Sequence, residues 1–76
     1  MDVITATVDA RGQSCPGPLV ALHMALRSAG PGDVLELLAT DPGSKSDVPS
    51  WSKLSGHELL DASETSGVYR YVIRKV

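Results

Sequence analysis

A chain of 76 residues has room for one domain with a small core, and with a single cysteine it must hold that core by packing alone, without a disulfide. A formal charge of −2, with one tryptophan, two tyrosines and no phenylalanine, argues against nucleic acid as the main partner and against a base-stacking platform. No apolar run approaches the ~20 residues of a membrane helix, no secretory signal pattern opens the sequence, and a lone thiol suits a reducing compartment, so a cytoplasmic setting is expected.

The β-branched alternation over residues 3–8 predicts a first strand, with Ile4, Ala6 and Val8 on its apolar face. A loop, Asp9–Ser14, leads to Cys15 and then to a helical run, Leu19–Ala29, whose first turn takes in Pro16 and Pro18. Leu19, Leu22 and Leu26 recur at helical spacing as its buried stripe. Gly30-Pro31-Gly32 stops that helix. Val34–Thr40 reads as a second, central strand, and Asp41-Pro42-Gly43 as a turn.

Ser44 with Asp47 three residues on suggests a capping box for a second helix. That helix points Val48, Trp51 and Leu54 inward, with Pro49 in or near its first turn and Gly56 at its end. Glu58–Glu64 and Val68–Val76 form a closing hairpin about Thr65-Ser66-Gly67. The order β-α-β-α-β-β predicts an α/β (α+β) two-layer sandwich: one domain over residues 1–76, a four-stranded mixed sheet, and both helices on one face. The first two strands are parallel and the closing pair antiparallel. The expected core is Ile4, Leu19, Leu22, Leu26, Leu37, Val48, Trp51, Leu54 and Leu59.

In such a sheet, ligand and partner sites gather at the carboxyl ends of parallel strands. The loops Asp9–Cys15 and Thr40–Lys45 meet there, which brings Arg11, Cys15, Ser44 and Lys45 to one side. A thiol at a helix start sits near free N–H groups and the positive end of the helix dipole, and both favour the reactive thiolate. The alternative is an inert, buried small hydrophobe.

Arg11 and Lys45 are candidate anion or partner contacts; Asp9, Asp41 and Asp47 are at hand to neutralise them. His23 lies eight helical residues from Cys15, a rise of ~12 Å, too far for a Cys–His pair, and reads as a surface or partner-contact residue. His57 precedes the third strand with no evident link to Cys15. Scattered Cys15, His23 and His57 make no metal site, and no cofactor motif is present. Trp51 belongs to the core with its indole N–H near the rim. Arg70, Arg74 and Lys75 read as a charged edge that blocks strand pairing.

Taken in order, Asp9-Ala-Arg-Gly-Gln-Ser-Cys15-Pro16-Gly17-Pro18-Leu19, Pro31-Gly-Asp-Val-Leu-Glu36, Thr40-Asp-Pro-Gly43, Asp47-Val-Pro-Ser-Trp51, Gly56-His-Glu-Leu59 and Tyr69-Arg-Tyr-Val-Ile-Arg-Lys75 resemble the TusA/SirA-like sulfur-carrier family over nearly the whole chain. The resemblance implies the two-layer sandwich and a single cysteine, here Cys15, that takes up sulfane sulfur as a persulfide. Pro16 and Pro18 match the two motif prolines. It also implies a donor protein, desulfurase or rhodanese-like, and an acceptor protein, with tRNA thiolation, molybdenum-cofactor assembly or sulfur oxidation as destinations.

Three positions depart from the tRNA-thiolation members. Gly17 stands where those have an acidic residue, and His23 and Met24 where they have basic ones. Gly17 and His23 are accordingly read as possible partner contacts. Three functions compete on the residues: a sulfur carrier or sulfurtransferase acting through Cys15, a protein- or RNA-binding module without chemistry, and a redox-sensing thiol. The last would need a partner's thiol, since this chain offers no resolving cysteine.

Overall fold

The computed structural model describes residues 4–14 and 16–76. The described elements are β1 (Ala6–Ala10), α1 (Gly17–Ser28), β2 (Val34–Ala39), α2 (Ser44–Ser55), β3 (Glu58–Thr65) and β4 (Val68–Arg74). They form one four-stranded sheet in the order β1-β2-β4-β3, with β1 and β2 parallel and the other pairs antiparallel. The α+β class and the mixed sheet are those predicted.

The core lies between the helices and one sheet face. Leu22 and Leu26 of α1, Val48 of α2, Leu35 and Leu37 of β2, and Tyr71 and Ile73 of β4 close it, with Ala10 at the end of β1. Leu19, Trp51 and Leu59 are half-buried against it. Strand alternation explains the membership: Leu35 pairs with Ile73, Leu37 with Tyr71 and Ala39 with Tyr69, so these side chains share a face.

The opposite face carries a line of polar groups across all four strands. Thr7 Oγ1 donates to Glu36 Oε1 (2.9 Å), Arg70 Nε donates to Glu36, and Arg70 Nη1 lies 3.6 Å from Asp61 Oδ2. Arg70 first, then Thr7, holds the Glu36 carboxyl below its ordinary range. Arg74 pairs with Glu58 on the same face.

Several expectations are corrected. β1 runs to Ala10, so Asp9 is a strand residue and not the start of the loop. Ile4 is half-buried outside the core cluster, and Ala6 is exposed at the rim of an edge strand. Leu54 is 88% exposed. At 3.6 residues per turn it sits about 120° round the helix from Val48, whereas Ser44 and Ser52 sit within about 40° of it. The inward stripe of α2 is therefore Ser44, Val48 and Ser52, flanked by Trp51.

No capping box forms. Gly43 is the N-cap, with helical φ and ψ, and the chain enters α2 through backbone turns such as Ser44 N to Asp41 O (3.0 Å). Pro49 is the sixth helical residue, in the second turn, where its missing N–H deprives the Lys45 carbonyl of its helical donor. β4 ends at Arg74 and is an inner strand, so Arg70 and Arg74 guard no sheet edge; they belong to the polar face. The hairpin loop is the two residues Ser66 and Gly67, both at positive φ (51° and 82°), between the paired Thr65 and Val68. This is the twist a two-residue hairpin favours.

Candidate functional site

The parallel pair ends with Ala10 opposite Ala39, and the connections to both helices leave from there. Gly12 takes a left-handed conformation (φ 82°), which a side chain would strain, and its N–H donates to Thr40 Oγ1 (2.9 Å). That bond ties the loop before α1 to the loop before α2. Gln13 N donates back to Ala10 O (3.2 Å) and Gly17 N to Ser14 O (2.8 Å).

Pro16 is the N-cap of α1 and is exposed; Pro18, two residues on, is buried. Both sit where a helix needs no N–H donor, and the first helical bond, Val20 N to Pro16 O (2.9 Å), closes over them. Gly17 has the Gln13 side chain against it: a Cβ there would meet Gln13 Oε1 at 2.8 Å and Gln13 Cβ at 3.2 Å. Cys15 lies outside the described residues, and with it the expectations of its exposure, its place in the first turn and its pKa.

Arg11 is committed to Asp9. Nε and Nη2 donate to the two carboxylate oxygens at 2.9 and 2.8 Å, and the Arg11 N–H adds a third bond at 3.1 Å. These bonds, the side-chain ones foremost, lower the Asp9 pKa from 3.8 to about 2 and raise that of Arg11. Arg11, which the residues alone left open between an anion contact and a neutralised charge, is thus neutralised, whereas the neutralisation expected for Lys45 is not found among the described residues.

Lys45 is placed differently: its Nζ stands 5.9 Å from the Tyr69 ring centroid, over the ring. Ser44 is fully buried and its Oγ shares a hydrogen bond of 2.8 Å with Tyr71 Oη, so it faces the core and not the loops. His23 is exposed on α1. His57 packs at a tilt (35°) against Trp51, with ring centroids 5.8 Å apart, and its Nδ1 accepts the Val76 N–H at 3.2 Å.

Arg11 and Lys45 therefore share the predicted end of the sheet, and Ser44 joins them only through its backbone. The sequence reading missed Gln13, Thr40 and Tyr71 as the parts that hold this end together. Only Thr40 had a signal, as the first residue of Thr-Asp-Pro-Gly. Beside the site, α1 leaves Val20 51% and Met24 63% exposed, one turn apart on the same side. Among the described residues no group of histidine and acidic side chains is arranged to hold a metal ion.

Comparison with known proteins agrees with this architecture. The sulfurtransferase TusA family model matches residues 6–75. The sulfur carrier protein TusA of Pseudomonas paraeruginosa is 42% identical over 72 residues, covering 95% of this chain and 91% of its own. That of Pseudomonas entomophila is 46% identical over 70 residues, covering 92% and 88%. The crystal structure of a SirA-like protein from Desulfitobacterium hafniense superposes with a TM-score of 0.81 at 28% identity, covering 91% of this chain and 95% of that one.

Proposed function

The chain belongs to the TusA sulfurtransferase family and is a sulfur carrier, and from that premise we propose that Cys15 carries the sulfur as a persulfide between a donor and an acceptor protein. One observation carries the assignment. The only thiol in the sequence falls between Ser14 and Pro16, in the short segment that joins β1 to α1.

In the loading step the Cys15 thiolate attacks the outer sulfur of a donor persulfide. The donor's S–S bond breaks, its inner sulfur leaves as a thiolate, and Cys15 holds the new S–S bond. In the delivery step a nucleophile of the acceptor, or of its substrate, attacks that outer sulfur and the Cys15 thiolate is released. No electrons are gained or lost overall, so no redox cofactor is required. A reducing compartment, the cytoplasm, keeps such a thiol available.

The protein's own contribution is placement. Pro16 and Pro18 fix the entry to α1, and the Gly12–Thr40 bond pins the loop from the other side. So small a molecule has little surface with which to enclose an acceptor, and selectivity rests on docking around the loop. Gly17 and His23 belong to that rim, with Val20 and Met24 as its apolar part. Arg11, whose charge Asp9 already holds, and Lys45 tune the approach of charged partners. A desulfurase or rhodanese-like protein is the expected class of donor. The acceptor serves tRNA thiolation, cofactor assembly or sulfur oxidation.

Intact mass after incubation with a persulfide donor tests the proposal. A gain of one sulfur atom, lost on adding reductant, is expected for the natural chain and not for a folded Cys15→Ser variant. Loading of that variant overturns the assignment. A gain of three oxygens and two sulfurs would show that thiosulfate rides on the thiol instead of plain sulfur.

A further inference from the structure

A hollow of about 200 Å³ opens on the helix side of the sheet, beside the start of α2, lined by Lys45, Ala62, Ser63, Glu64, Tyr69 and Tyr71. Register explains its shape. Ala62 pairs with Tyr71 and Glu64 with Tyr69, so four of the six lining residues come from two adjacent rungs of the β3–β4 hairpin and share its inner face. The inner wall is the buried Tyr71, whose hydroxyl is hydrogen-bonded to the buried Ser44.

Two opposite charges stand at this hollow, Lys45 over the Tyr69 ring and Glu64 in register with Tyr69. Among the described residues neither is held in an ion pair, with the other or with any third group. Every other cation on β3 and β4's polar face is spoken for: Arg70 by Glu36 and Asp61, Arg74 by Glu58. An unpaired ammonium and an unpaired carboxylate flanking an aromatic wall are the complement of a small zwitterion. A hollow of about 200 Å³ takes a small-molecule ligand of roughly seven non-hydrogen atoms. L-cysteine has that size.

We propose that this hollow binds a free α-amino acid of about cysteine's size. Its carboxylate meets Lys45, its ammonium meets Glu64, and its side chain lies on the tyrosine rings, a setting that suits sulfur. The hollow opens at the end of the sheet from which the loop bearing Cys15 leaves, but the binding needs no chemistry at Cys15 and stands or falls apart from the carrier function.

The test uses the full chain carrying Cys15→Ser, ¹⁵N-labelled and under reductant, so that no mixed disulfide or persulfide forms. L-cysteine is expected to shift the amides of Ala62, Ser63, Glu64 and Tyr69 saturably in the millimolar range. Cysteamine, which lacks the carboxylate, and 3-mercaptopropionate, which lacks the ammonium, are each expected to bind at least about tenfold more weakly. Lys45→Gln should weaken L-cysteine and 3-mercaptopropionate but leave cysteamine unchanged, and Glu64→Gln should weaken L-cysteine and cysteamine but leave 3-mercaptopropionate unchanged. Absence of saturable shifts at these amides, equal binding of all three compounds, or indifference to both substitutions overturns the proposal. Sulfur loading of the natural chain is measured separately and is untouched by any of these results.

Discussion

The two helices solve the same packing problem with opposite chemistry. α1 is mostly apolar: it buries Pro18, Leu22 and Leu26 and still leaves Val20 and Met24 in solvent. α2 is mostly polar, and the stripe it buries is Ser44, Val48 and Ser52. Its two serines are tolerated in the core because each hydroxyl is satisfied, Ser44 by Tyr71 Oη and Ser52 by the His57 carbonyl at 2.7 Å. The difference separates two jobs. A helix with more apolar surface than the core can use has some to spare for partners. A helix that aims hydroxyls at fixed acceptors has spent its specificity on holding one strand and one loop.

The sharpest way to break the comparison is to remove the heart of α1. Leu22→Ala should cost ~2–5 kcal/mol in chemical denaturation, since Leu22 is fully buried and the cavity has little freedom to collapse. A loss below ~1 kcal/mol would mean that the sheet, and not α1, organises the core. On α2 the corresponding change is Ser44→Ala, which removes the buried hydrogen bond to Tyr71 Oη and should cost ~0.5–1.5 kcal/mol. Combined with Tyr71→Phe the loss should be smaller than the sum of the two, because both changes remove the same bond. Additive costs would show that the hydroxyl pair is not the linkage described.

Met24→Asp should change stability by no more than ~0.5 kcal/mol, as an exposed substitution. It should nonetheless slow delivery to an acceptor protein by about tenfold while leaving loading from a small donor unchanged. Equal slowing of both steps would place Met24 at the sulfur and not in a docking rim. Leu54→Glu, on the exposed side of α2, should alter neither stability nor delivery; a measurable effect on either would revise the role given to that helix.

How much of this was legible beforehand follows from the same contrast. α1 was read correctly because its buried side is apolar and its punctuation, Pro16 to Pro18 and then Gly30, is unmistakable. α2 was rotated in the reading because its inward positions are serines, and hydropathy had no reason to choose them over Leu54. The parallel first pair followed from the crossover. The place of β4 between β2 and β3 did not, since alternation marks which face a residue takes and says nothing of which strand lies next to it. At the candidate site the Cys-Pro-Gly-Pro motif drew attention to Cys15 at once, whereas the Gln13 side chain against Gly17 and the Gly12 N–H on the Thr40 hydroxyl are contacts between loop residues whose pairing residue type does not announce.

Acid separates the loop before α1 from the rest more gently. The folded pKa of Asp9, about 2, lies below its ordinary 3.8, so the Arg11–Asp9 contribution is complete above about pH 4 and is lost as pH falls through about 2. The pair is exposed and screened by salt, so the signal to follow is the titration and not global stability. Arg11→Gln should move the Asp9 midpoint, read by carboxyl NMR, up toward 3.8. An unmoved midpoint would assign the shift to some other group.

The strand order has a bearing on how the molecule is made. β3 pairs with β4 alone, and β4 pairs with β2 across a long stretch of chain. On a ribosome, where synthesis runs from β1 onward, the β1-α1-β2 unit and α2 emerge first and β3 follows with no strand to join. No strand joins β3 to the rest of the sheet until residues 68–74 leave the exit tunnel and slot between β2 and β3. A nascent chain arrested after Thr65 should therefore remain open to protease throughout, and release of residues 66–76 should close the whole sheet in a single step.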